Sequence, residues 1–212
     1  MFKTKKGETL IEVITALTSL VIAGLAAVTV ILAVMNTTAI SKDYLIAQNL
    51  AREGLEGVIN IRDTNWLIFS SDKTNCWMII DSLECKADGT DKKAIAGNNY
   101  TLEGIEGAKL KLKDQTSLVK LDLESGTDED NSVFKLQLNT DGIYTQDQSA
   151  TPKDPQPSPV FYRMITLSKV DDGDADSVFT QERIKITVKI QWEIKSKVNT
   201  YELSSVITNY EK

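Results

Sequence analysis

From Val13 to Met35 the sequence holds no charged residue and no proline. A helix crossing a bilayer needs about 20 apolar residues, so this run is long enough to span one. What precedes it narrows the reading further. Lys3, Lys5 and Lys6 stand before Gly7, and Glu8-Thr9-Leu10-Ile11-Glu12 leads directly into the apolar run. Glu12 therefore falls in the first turn of a membrane segment. A charged side chain in hydrocarbon costs about 2.5–3.5 kcal/mol, and an intramembrane acid generally marks function. A cationic partner would remove that cost, and the apolar run that follows holds none. A secretory signal peptide does not fit, because its apolar core is about 7–15 residues long and is followed by a small-residue cleavage site.

The run Lys5-Lys6-Gly7-Glu8-Thr9-Leu10-Ile11-Glu12 resembles the processing signature of type IV prepilins and pseudopilins. In that family a membrane peptidase cuts after the glycine and the new first residue is N-methylated. The resemblance implies a leader at residues 1–7, cleavage between Gly7 and Glu8, and methylation at Glu8. It places Glu12 at the fifth mature position, where the family carries a glutamate. Glu8 departs from the family's usual phenylalanine, and no proline breaks the middle of the span. The amine created at Glu8 and the Glu12 carboxylate could pair within one chain or between chains, which would make Glu12 an assembly switch. The bland alternative is a glutamate that reaches back to the headgroups.

The basic residues lie before the span, so the N-terminus is expected in the cytoplasm and the rest outside. Loss of residues 1–7 removes Lys3, Lys5 and Lys6, leaving 21 Lys and Arg against 30 Asp and Glu, a net charge of −9 in place of −6. That acidity argues against binding a nucleic-acid backbone. Cys76 and Cys85 are the two cysteines. Outside the cytoplasm an even count favours a disulfide, the alternative being two unpaired thiols.

Beyond the membrane segment, Ala47, Leu50, Ala51, Gly54, Leu55, Val58 and Ile61 fall on one helical face. One helix is therefore expected from Glu8 to about Arg62, its half at 8–35 apolar all round and its half at 36–62 amphipathic. Such a helix of about fifty residues is roughly 80 Å long. Gly54 and Gly57 weaken the second half by about 1 kcal/mol each and suit the close approach of a strand. The cluster Arg62-Asp63-Thr64-Asn65 is expected to end it. The remainder, 63–212, shows period-two patterning. Alternation predicts strands at Lys109–Lys113, Leu121–Leu123, Phe134–Leu138, Phe161–Leu167, Ile184–Ile194 and Tyr201–Ile207. The acidic stretch Gly126–Ser132, the turn Asn139–Gly142 and the segment Thr151–Pro159, which holds all four prolines, separate them. The fold class expected is α+β and type IV pilin-like: a long N-terminal helix packed on an antiparallel sheet. The weaker motifs Asp141–Tyr144, Phe161–Ile165, Val188–Trp192 and Tyr201–Asn209 follow an order similar to that of minor pilins related to PilV and of I-type pseudopilins.

The chain has no histidine. That removes histidine-based triads and most zinc hydrolases, and no phosphate-binding glycine loop appears. The expectation is a protein that is not an enzyme and holds no cofactor. Asp171, Asp172, Asp174 and Asp176 could gather oxygen ligands for calcium, but their spacing does not match a calcium loop, and a solvated hairpin loop is the simpler reading. Trp66, Trp77 and Trp192 could form an adhesive patch; core packing is the commoner use of scattered aromatics.

The expected function is that of a minor pilin-like subunit of a type IV pilus or a type II secretion-like filament. Its expected partners are other pilin subunits, the prepilin peptidase and an inner-membrane assembly platform. The expected location is the cytoplasmic membrane and then the cell surface. The rival is a single-pass anchored ectodomain acting as an adhesin or binding module without polymerising.

Overall fold

The structure, a computed structural model, describes residues 8–69, 76–80, 85, 94, 97–105, 109–115, 118–170 and 183–209. Helix α1 runs from Glu8 to Ile68. The chain divides into two compact units, Met1–Tyr44 and Leu45–Lys212, with α1 contributing to both.

In the second unit the strands are β1 (Asn99–Ile105), β2 (Lys109–Asp114), β3 (Gln137–Leu138), β4 (Tyr144–Thr145), β5 (Phe161–Lys169), β6 (Arg183–Ile194) and β7 (Lys197–Thr208). A short helix, α2, spans Asp128–Ser132. Five strands form one sheet in the order β2-β1-β5-β6-β7, and β3 pairs with β4. All pairings are antiparallel. The layout is therefore α+β, with a long N-terminal helix and an antiparallel sheet.

The alternation in β5 and β6 does what period two requires. Phe161, Arg163, Ile165 and Leu167 face inward from β5, and Ile184, Ile186, Val188, Ile190 and Trp192 face inward from β6. Against them lie Ala47, Leu50, Ala51, Val58 and Ile61 of α1. The two glycines of this helix face admit the close approach expected of them. A Cβ on Gly54 would lie 3.0 Å from Val188 Cγ1 and 3.1 Å from Arg163 Cδ, and one on Gly57 would collide with Leu102 Cδ2.

Three expectations need correction. First, α1 does not end in the cluster Arg62–Asn65. Arg62 and Asn65 are buried, and the Asn65 amide donates to the carbonyls of Trp77 (3.2 Å) and Ile79 (2.9 Å). Its polar groups serve a neighbouring segment instead of breaking their own helix. Second, Leu121–Leu123 is not a strand. It crosses the sheet face opposite α1, held by side chains. The Leu121 N–H meets Met164 Sδ, Lys189 Nζ donates to the Leu121 carbonyl, and the Leu123 N–H donates to Gln191 Oε1. Third, of Phe134–Leu138 only Gln137–Leu138 is strand, and the acidic stretch after Gly126 folds into α2, whose Thr127 hydroxyl accepts from the Asp130 N–H.

The ends of the sheet differ. At the β2 edge the Leu112 N–H donates to the Ile80 carbonyl at 3.2 Å, so the segment Cys76–Ile80 covers part of it. β6 turns into β7 through Lys195 and Ser196, which both adopt left-handed backbone conformations with φ of 50° and 61°.

Candidate assembly segment

Helix α1 is long and apolar enough to cross a membrane. From Leu10 to Met35 its large apolar side chains are between 51% and 70% exposed, and none belongs to the hydrophobic core. Its hydroxyls are satisfied within the helix. Thr15 donates to the Glu12 carbonyl, Thr18 to those of Ile14 and Thr15, Ser19 to that of Ala16, and Thr29 to that of Ala26, all at 2.8–3.0 Å. Such bonds to the preceding turn let Ser and Thr sit in an apolar medium without an orphaned group. Between Leu10 and Ser41 the only ionisable side chain is Glu12, which is exposed.

The predicted processing residues lie before this point. Lys3, Lys5, Lys6 and Gly7 fall outside the described residues, and Glu8 opens α1. Asp171, Asp172, Asp174 and Asp176 also fall outside them. Among the described residues no group of three or more acids, cysteines or histidines is placed to hold a metal ion. Cys76 and Cys85 are joined by a disulfide, with Cα atoms 5.8 Å apart. The tryptophans do not form an exposed patch, since Trp77 and Trp192 are buried in the core and Trp66 is half-buried with its indole N–H donating to Asn209 Oδ1 at 2.8 Å.

Sequence reading missed a polar clasp inside the second unit. Arg163 is buried, and its guanidinium reaches Glu53 Oε1 (3.1 Å), the Leu50 carbonyl (3.3 Å) and Gln146 Oε1 (3.0 Å). Burial pulls its pKa down, and the charge of Glu53 and its hydrogen bond oppose that shift. Gln146 in turn accepts from the Leu102 N–H and donates to the carbonyls of Phe134 and Arg163. One signal was available: an arginine in an inward position of a strand whose other inward residues are Phe161, Ile165 and Leu167. On the opposite face Asp122 organises the crossing segment. Hydrogen bonds from the Ser125 hydroxyl and from the Glu124 and Ser125 N–H groups hold its carboxyl below the usual range.

Comparison with protein-family models, curated proteins and solved structures finds no match in any of the three.

Proposed function

We infer that this protein is a minor pilin-like structural subunit, cut after Gly7 and assembled into a type IV pilus or a secretion filament through α1. One observation carries the reading: a carboxylate, Glu12, is the only ionisable side chain from Leu10 to Ser41, and it follows a basic leader and Gly7 by one helical turn and a little more. Cleavage after Gly7 would create an ammonium group at Glu8 on the same end of the helix. The resulting cation is the natural counter-charge for Glu12. In hydrocarbon each of these charges alone is costly, and paired across neighbouring helices both are satisfied. Stacking subunits so that the amine of one meets the acid of the next would draw helices out of the bilayer into a bundle. The sheet domain would be the surface displayed outside the cell. Partners in this reading are other pilin subunits, the peptidase that removes the leader and a membrane assembly platform.

Two measurements test it. The N-terminus of the chain made beside a prepilin peptidase is expected to be Glu8; a retained Met1 favours the anchored, non-polymerising ectodomain. Glu12→Ala is expected to be processed normally yet to enter filaments at least tenfold less often, as read by immunoblotting of sheared filaments. Equal incorporation would remove the pairing mechanism.

A further inference from the structure

The sheet face opposite α1 carries an open polar groove. At one end a cavity of about 390 Å³ is lined by Tyr162 of β5, Asp128 of α2, Glu193 of β6 and Lys195 of the β6–β7 turn. It adjoins a second cavity of about 430 Å³ that shares Leu123 and Glu193 and adds Glu124 and Lys197. Each is in the size range of a small-molecule site, and the two are neighbours along one trough through Leu123 and Glu193.

The charged groups along this trough are of both signs. Among the described residues the Tyr162 hydroxyl, the Asp128 and Glu193 carboxylates and the Lys195 ammonium make no side-chain hydrogen bond or ion pair. Tyr162 is half-buried, and burial followed by the charges of Asp128 and Glu193 pushes its pKa up, so it remains a neutral hydroxyl donor. Together the two linings carry three carboxylates and two ammonium groups. A polyanion entering the trough meets Glu124, Asp128 and Glu193, whereas a polycation meets Lys195 and Lys197. A neutral ligand rich in hydroxyls suffers neither repulsion. It can donate to the carboxylates and accept from the ammonium groups, and charge-assisted bonds of this kind are the stronger ones. The Tyr162 ring offers an apolar face with a polar tip, which suits a ligand with one C–H face and hydroxyls at its rim.

We propose that this groove binds a neutral oligosaccharide, with Tyr162 as the stacking platform and Asp128, Glu193 and Lys195 as hydrogen-bonding walls. Two adjoining cavities of about 390 and 430 Å³ leave room for more than one sugar ring. The site stands on the second unit alone and does not depend on filament assembly.

The test uses the full chain in lipid nanodiscs and saturation-transfer NMR titrations with cellotetraose, chitotetraose and maltotetraose. At least one of the three is expected to bind. Glu193→Gln is expected to weaken it about tenfold and Tyr162→Leu by at least that, whereas Tyr162→Phe, which keeps the ring, stays within about threefold. Glu193 is exposed, so its variant keeps the test open if Tyr162→Leu fails to fold. The proposal is overturned if none of the three tetrasaccharides binds or if Glu193→Gln leaves binding unchanged. It is equally overturned if an arginine-rich peptide or a sulfated tetrasaccharide binds more tightly than all three.

Discussion

Arg163 sits on a strand face otherwise filled by Phe161, Ile165 and Leu167. A buried cation is tolerable only where hydrogen bonds replace the water it has lost. Glu53 supplies the charge, but its side chain is 49% exposed, so solvent screens that bond. Gln146 supplies more, because it is buried and joins Arg163, Leu102 and Phe134 at once. Two substitutions separate these contributions. Glu53→Gln is expected to cost about 1 kcal/mol. Gln146→Leu takes the partner from the buried Leu102 N–H, the Arg163 Nε–H and the Arg163 carbonyl, and is expected to cost about 3–5 kcal/mol. Denaturant melts of the full chain check the order, and a larger loss in Glu53→Gln would contradict it. The inward position of Arg163 was the one legible sign of this clasp, and its partners were not legible, because its members come from α1, the end of β4 and β5. Spacing within one segment carries no information about such a meeting.

The helix–sheet contact is set by what α1 lacks. Gly57 to alanine would gain about 1 kcal/mol of helix propensity. The new methyl would meet Leu102, which is 4% exposed and has little room to yield. Overpacking of this kind costs about 1–3 kcal/mol, so Gly57→Ala is expected to lower stability by about 1 kcal/mol. Combined with Leu102→Val, its loss should fall short of the sum of the single losses, since the two sites share one space. A double-mutant cycle on thermal or urea melts reads the coupling; strict additivity would show that the contact is not tight. The glycine face, β5, β6 and β7 were all legible, because one side of each is apolar and period decides the rest. β1 was not, since Tyr100 and Leu102 alternate with Thr101 and Glu103 for only two periods before Gly104, too short a run to mark a strand. Leu121–Leu123 misled for the converse reason: its leucines alternate, but they lie across a sheet face and not within a ladder.

Over the whole molecule, the segment around Cys76 ties together parts distant in sequence. Trp77 and Ile79 accept from Asn65 near the end of α1, and Ile80 accepts from β2. The disulfide to Cys85 closes a loop with a sequence separation of 9. Loop-closure entropy puts its worth at up to about 3 kcal/mol. Replacing both cysteines with serine is expected to lower stability by about 2–3 kcal/mol and to speed amide exchange most at Asn65–Ile68 and Leu112. A uniform acceleration would place the effect elsewhere. The N-terminal motif is read from the sequence alone, since its lysines, glycine and acid follow one another along the chain, and Lys3, Lys5, Lys6 and Gly7 lie outside the described residues. The groove over Tyr162 was not legible, because three separate segments line it. The hydroxyls of Thr15, Thr18, Ser19 and Thr29, turned back onto their own carbonyls, leave a helix surface that is equally at ease against acyl chains or against other protein. Sliding from one medium to the other therefore exposes no thirsty dipole at these positions. From Leu10 to Ser41 the preference between solvents is left to a single titratable group, one turn from the tip.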